Sequence, residues 1–167
     1  MVANLQRLLR HLLSPPWRVR QVFPARAMRA IETTIHESES RHEGEIRFAV
    51  EAALDPAALL RSVSARQRAI EAFSHLRIWD TERNNGVLIY LLLADHDVEI
   101  VADRGIHAHA GAAEWERICR TMEQAFKEGH FEQGVIAGIE AVSEHLAKHY
   151  PRQGHKPNEL PNAPVVL

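Results

Sequence analysis

The run "GVLIYLLLA", residues 86 to 94, limits the folds open to this chain more than any other feature. An uncharged, non-alternating run of nine residues reads as a strand covered on both faces. It is far short of the roughly 18 apolar residues a membrane span needs. Asp95-His96-Asp97 reverses the chain, and residues 98 to 102, "VEIVA", return as an antiparallel partner. A hairpin with an enclosed first strand belongs in a layered α/β domain.

The rest of the chain supplies the layers. A helix from Pro24 carries Met28, Ile31 and Ile35 at spacings of three and four, and Gly44 ends the charged stretch after it. "EIRFAVEAAL" reads as a first strand at about 45 to 53. Asp55-Pro56 is a helix start, and Leu59, Leu60, Val63, Ile70 and Phe73 predict a helix over about 56 to 75. "IWDTERNN" is a polar loop leading into the hairpin. Beyond Gly111, Trp115, Ile118, Cys119, Met122 and Phe126 mark a helix that Gly129 closes. Phe131, Val135, Ile139, Val142 and Leu146 mark a last helix, about 131 to 149, stopped by Pro151. Gly134 and Gly138 inside it each cost about 1 kcal/mol relative to alanine, which implies close approach to a neighbour. The expected order is α-α-β-α-β-β-α-α, with a small mixed sheet.

Charge divides the chain unevenly. Six arginines and no acidic residue precede Glu32, so the first 31 residues carry +6 and the remainder −8 of a net −2. Within "NLQRLLRHLL", residues 4 to 13, five leucines share a stripe opposite Arg7, Arg10 and His11, until Ser14-Pro15-Pro16 ends the helix. Such a helix either packs on its own domain or a second copy, or lies on an anionic membrane surface or in a partner's groove. The expected organisation is a basic amphipathic arm over 1–22, an α/β domain over 23–150 and an extended tail over 151–167. The single cysteine, Cys119, excludes an intrachain disulfide and a cysteine-rich zinc site, and its apolar neighbours mark a buried thiol. The chain reads as cytoplasmic, with a peripheral membrane option through residues 5–20. An acidic domain without interleaved basic and aromatic residues makes nucleic acid an unexpected partner; a homo-oligomer remains open.

Topology suggests where a site would form. If the strand at 45–51 and the strand at 86–94 are parallel across a helical crossover, their first residues share one sheet edge with the end of the returning strand. That edge collects Glu43, Glu45, Asn84, Asn85, Asp103, Arg104, His107 and His109. The opposite edge collects Glu51, Asp55, Asp95, His96 and Asp97, where open α/β sheets usually bind ligands. No P-loop, G-x-S-x-G elbow, H-E-x-x-H or cysteine phosphate loop occurs, so hydrolysis would require a metal to polarise a phosphoryl group.

Several phrases in fixed order carry a resemblance: "RNNGVLIYLLLADHDVEIVADRGI" at 83–106, Trp115, the pattern from Phe126 through "EGHFEQGVIAGI", and "NELP" at 158–161. Over about residues 28 to 162 the chain resembles the bacterial branch of the TPM-domain family that lacks a transmembrane segment. The resemblance implies a three-layer α/β/α sandwich. It also implies divalent metal at the loops beside the asparagine-glycine pair and after the hairpin, with no organic cofactor. It implies one of two functions: an accessory module of a membrane-associated complex, or an acid phosphatase acting on phosphomonoesters. Asn84, Asn85 and Asp103 match polar rim positions of the family. After Gly105 the chain departs from the family pattern, offering Ile106-His107-Ala108-His109 where many members carry a leucine and a carboxylate. Oxygen ligands suit Ca²⁺ or Mg²⁺ and imidazoles suit Zn²⁺. The candidate metal ligands are therefore Asn84, Asn85, Asp103, His107, His109 and Glu45, with Asp103 and Arg104 as candidate catalytic groups.

Overall fold

In a computed structural model, which describes residues 2–154 and 157–167, the apolar run forms one of the two inner strands of a four-stranded sheet. Strand β1 is Glu45–Glu51, β2 is Gly86–Leu92, β3 is Asp97–Ala102 and β4 is Val165–Val166, in spatial order β3-β2-β1-β4. β1 and β2 are parallel, with Glu45 opposite Gly86 and Glu51 opposite Leu92. β3 returns antiparallel, with Val87 opposite Ala102 and Leu92 opposite Asp97. Every residue of β2 is buried, as the unbroken apolar run requires.

Alternate residues feed two cores. Ile46, Phe48, Val50, Val87, Ile89, Leu91, Val98 and Ile100 face one layer, built from α2 (Trp17–Val22), α3 (Ala25–Ser38), α7 (Ala112–Lys127) and α8 (Phe131–His149). Ala49, Leu88, Tyr90, Leu92 and Val101 face the other, built from α4 (Pro56–Leu60), α5 (Ala65–His75) and Leu160 of the tail. The architecture is the α/β/α sandwich. At the α7–α8 contact, a Cβ on Gly134 would lie 2.7 Å from the Phe126 ring, and one on Gly138 would run into Met122. The two glycines are there because the helices touch backbone to side chain.

Three local features depart from the sequence reading. The helix expected over 56–75 is two helices. α4 ends at Leu60, Ser62 adopts φ +56°, and Ser64 with Gln67 forms a reciprocal capping box that starts α5 afresh. A further helix, α6 (Arg104–Ala110), occupies the stretch expected to be a loop, capped by the Asp103 side chain and closed by Gly111 at φ +79°. The tail runs along β1 and ends as β4, parallel to it.

Helix α1 (Val2–Leu12) packs on its own domain, but by its polar face. Arg7 Nε and His11 Nε2 lie 2.8 and 3.1 Å from one oxygen of Asp95, and Arg10 lies 3.1 Å from the other. The His11 ring is fully enclosed; its Nδ1 accepts from Leu54 N at 2.9 Å, which leaves Nε2 as the protonated nitrogen that donates to Asp95. Val19 and Phe23 continue this contact into the core.

Candidate functional site

The register of the sheet sets the geometry of the rim. Asp103 N donates to Gly86 O at 2.9 Å, so the end of β3 lies directly beside the start of β2. Asn85, one residue before β2, is completely buried. Its backbone N–H donates to Thr81 Oγ1, its carbonyl accepts from Glu45 N, and its side-chain Nδ2 donates to Glu43 O at 3.0 Å. Those bonds fix the amide so that Oδ1 is left over, buried, with no hydrogen-bond partner among the described residues. Asp103, 8% exposed, uses Oδ1 to accept from Arg104 N at 2.7 Å as the cap of α6. Its Oδ2 is also buried and also lacks a partner among the described residues.

The two loops are held against each other at Gly105. A Cβ there would lie 2.5 Å from Asn84 O and 2.6 Å from the Tyr150 hydroxyl. Asn84 is exposed and turns the chain through φ +51°. Arg83, ion-paired with Glu43, lies 5.4 Å over the Tyr150 ring and closes the outside of the junction. Thr81, Glu43 and Tyr150 thus position the rim. Tyr150 carries no local signal of this role, since it meets the rim across a long stretch of sequence, whereas Thr81 lies only four residues before Asn85.

The structure does not bring the other candidates to the same point. Glu45 turns its carboxylate to the tail, accepting from Glu159 N and Leu160 N at 3.2 Å each. His107 and His109 fail to converge because they sit two apart on a helix, and residues at that spacing project to different faces. His107 lines a groove of about 460 Å³ along the free edge of β3, with Asp97, Glu99, Trp115, Cys119 and Glu123. His109 stacks on His149, with ring centroids 4.5 Å apart and planes 10° from parallel. The expectation that both imidazoles would share a metal from an extended loop is therefore corrected. Among the described residues no group of three or more His, Cys, Asp or Glu side chains is arranged to hold a metal ion. Arg104 is exposed beside Asp103.

In the groove, burial, Glu99 and Glu123 push the Asp97 carboxyl up to about 6. Burial, then Glu99, pushes the Cys119 thiol up to about 12, so it stays protonated and unreactive at neutral pH. At the opposite sheet edge the polar groups already serve the fold. Asp55 caps α4 through Ala58 N. Glu51 accepts from the Tyr90 hydroxyl at 2.7 Å and Arg68 Nε at 2.8 Å. Burial raises the Asp95 carboxyl, but the bonds from Arg7 and His11 outweigh it and hold the group below its ordinary range. His96 packs edge-on against Phe131, and burial, then Arg18 and Arg10, lower its pKa.

The TPM domain family matches residues 19–145, a span that contains β1, β2, β3 and both orphaned oxygens. The chain belongs to the TPM-domain family. Among solved structures it is similar to the BA42 protein of the psychrophilic bacterium Bizionia argentinensis, at 30% identity and TM-score 0.76, over 86% of this chain and 94% of that one. It also shares its fold with the N-terminal domain of a protein from P. gingivalis, at 15% identity and TM-score 0.60, over 85% and 95%. A search of curated proteins finds no match. The TPM match begins inside α2, so α1 lies outside it. No helix among the described residues is long and apolar enough to cross a membrane.

Proposed function

We propose that this TPM module binds one hard divalent cation at the rim, through Asn85 Oδ1 and Asp103 Oδ2, and works as a cytoplasmic accessory module beside a membrane-associated complex. The observation that carries the cation is the pair of buried oxygens without partners. Leaving such an oxygen unmade costs about 1–3 kcal/mol, which native structures seldom tolerate twice at one place. Neighbouring strands lie about 4.8 Å apart, and two oxygens at roughly 2.4 Å from one Ca²⁺ are at most about 5 Å apart. Asn85 precedes β2 and Asp103 follows β3, and the Asp103 N–Gly86 O bond holds their backbones at one sheet edge, where the two oxygens would have to meet within that reach. An amide and a carboxylate oxygen favour Ca²⁺ or Mg²⁺, and the divergence of His107 and His109 removes the argument for Zn²⁺. The cation would supply local positive charge, while Asn85 and Asp103 would hold it and the Gly105 junction would keep the two loops at fixed distance.

The phosphatase reading draws its support from Arg104, which is exposed next to Asp103 and would clamp a phosphoryl oxygen. Among the described residues the other groups at the rim, Glu43, Thr81 and Tyr150, are engaged in holding the loops together, so the accessory reading is preferred.

Calorimetric titration with Ca²⁺ and Mg²⁺ tests the proposal. Asp103→Asn keeps a helix cap and removes the charge, and is expected to weaken the ion at least about ten-fold, the effect of losing one ligand's charge of about 1.4 kcal/mol. Equal affinity in wild type and variant removes the site. Hydrolysis of p-nitrophenyl phosphate that vanishes both with EDTA and in Arg104→Ala would move the assignment to the phosphatase.

A further inference from the structure

Helix α1 is amphipathic, yet it is mounted with its charged face inward. Arg7 and His11 point down to Asp95, and the leucines point out. Leu5 is 58% exposed, Leu12 59% and Leu13 76%, with Trp17 at 58% just beyond the helix and Leu60 of α4 at 80%. Leu5, Leu8, Leu59 and Leu60, with Arg7 and Ser62, line one cleft between the two helices. A folded monomer rarely presents so many large apolar side chains together, and such a patch marks a surface meant to be covered. Its surroundings say by what. Arg10 of the same helix is 57% exposed beyond its pair with Asp95, Arg20 of α2 and Arg26 and Arg29 of α3 are exposed as well, with Arg26 paired to Glu132, and no acidic residue occurs before Glu32 in the sequence.

We infer that this face docks in the plane of an anionic lipid bilayer: the outward leucines of α1, with Leu60 and Trp17, enter the headgroup boundary while exposed arginines of the basic N-terminal segment, Arg10 and Arg20 first, meet lipid phosphates. Leucines on one face, arginines at the margins and an aromatic residue at one end are the features of an interfacial helix. The inversion makes the arrangement specific. Asp95 neutralises the arginine and histidine that face the domain, so the leucines stay turned out without a lipid present. The same mounting sets orientation. Asp95 lies past the C-terminal end of β2 and the rim lies at its N-terminal end, about seven residues or roughly 20 Å away. The rim then faces the aqueous side, where a complex would meet it. This docking surface does not depend on the cation site.

Co-sedimentation with vesicles tests the inference, with EDTA present throughout so that no bound cation can bridge protein and lipid. The full chain is expected to pellet with vesicles of equal phosphatidylglycerol and phosphatidylcholine at 50 mM NaCl, and not with pure phosphatidylcholine. Raising NaCl to 500 mM is expected to weaken binding roughly ten-fold or more, since the arginine contribution is screened. The exposed pair Leu12→Glu with Leu13→Glu is expected to reduce binding by a similar factor, with an unchanged circular dichroism spectrum. Absence of wild-type binding at 50 mM NaCl overturns the inference, as does equal binding by the double variant. A wild-type dimer that the double variant dissociates, without vesicle binding, would assign the face to a second copy of the chain and overturn it too. Cation affinity is measured separately by calorimetry, so either reading can fail while the other stands.

Discussion

Replacing Gly105 by alanine sets two effects of opposite sign against each other. Gly105 is the second residue of α6, where alanine favours the helix by up to about 1 kcal/mol. If nothing lay beside it, the variant would be the more stable protein. The added methyl, however, would stand 2.5 Å from Asn84 O and 2.6 Å from the Tyr150 hydroxyl. The Tyr150 ring can shift by a few tenths of an ångström. Asn84 O is backbone, and the Asn84–Asn85 segment is tied by Thr81, Glu43 and Glu45. Forcing a methyl group into such a contact costs typically about 1–3 kcal/mol. The clash outweighs the propensity gain, and the net expectation is a loss of about 1–2 kcal/mol. In a domain of this size that lowers Tm by roughly 2–8 °C. Urea unfolding of the two proteins measures it, with midpoint and slope fitted together. Because the methyl also separates Asn85 from Asp103, cation affinity is expected to fall in parallel. An alanine variant as stable as wild type, or more so, would mean that the two rim loops do not touch at Gly105, and the juxtaposition behind the site would be wrong.

Asp95→Ala leaves the enclosed His11 Nε2–H without an acceptor, at a cost of about 1–3 kcal/mol. α1 amides are expected to exchange faster while β2 amides keep their protection, and unchanged α1 exchange would show that Asp95 does not hold the helix. The raised pKa of Asp97 means the folded state binds its proton more tightly than the unfolded chain, so its stabilising protonation is complete below about pH 4 and lost as pH rises through about 6. Asp97→Asn is therefore expected to stabilise at pH 7 by about 1 kcal/mol after allowance for solvent screening, and to change nothing at pH 4; equal Tm at both values contradicts it. Cys119, mostly buried at the groove wall and with its pKa pushed up to about 12, is expected to react with a thiol reagent at pH 8 far more slowly than a free cysteine, and labelling as fast as free cysteine would show that burial does not hold the thiol protonated.

The sandwich was legible because its signals are local and redundant. An uninterrupted apolar strand needs cover on both faces: the helical rhythms around Met28, Trp115 and Val135 supply one face in α3, α7 and α8, and the stretch from Leu59 to Phe73 supplies the other in α4 and α5. The rim was legible in part, since strand direction alone gathers Asn85 and Asp103 at one edge. Helix α6 was not. Its seven residues contain a glycine and two histidines, too little propensity to declare a helix, and it stands on the Asp103 cap, the burial of Ile106 and the close approach at Gly105. The signal that would have found it is the pairing of Asp103 with Gly111 as start and stop. In the same way the Ser64–Gln67 capping box announces the break before α5, hidden under an apolar spacing that runs on from Leu59 to Phe73.

The order of residues settles which side chains share a face of each helix or strand, because that follows from the pitch of one backbone. It cannot settle where that face points. The leucine stripe of α1 is plain in the sequence, but its outward direction is decided by one carboxylate, Asp95, more than eighty residues away from Arg7 and His11. His107 and His109 likewise look like a pair until the turn of α6 sends one to the β3 groove and the other onto His149. Periodicity is a property of the local chain. Which face meets the protein is set by long-range contacts, and those exist only once the sheet has assembled.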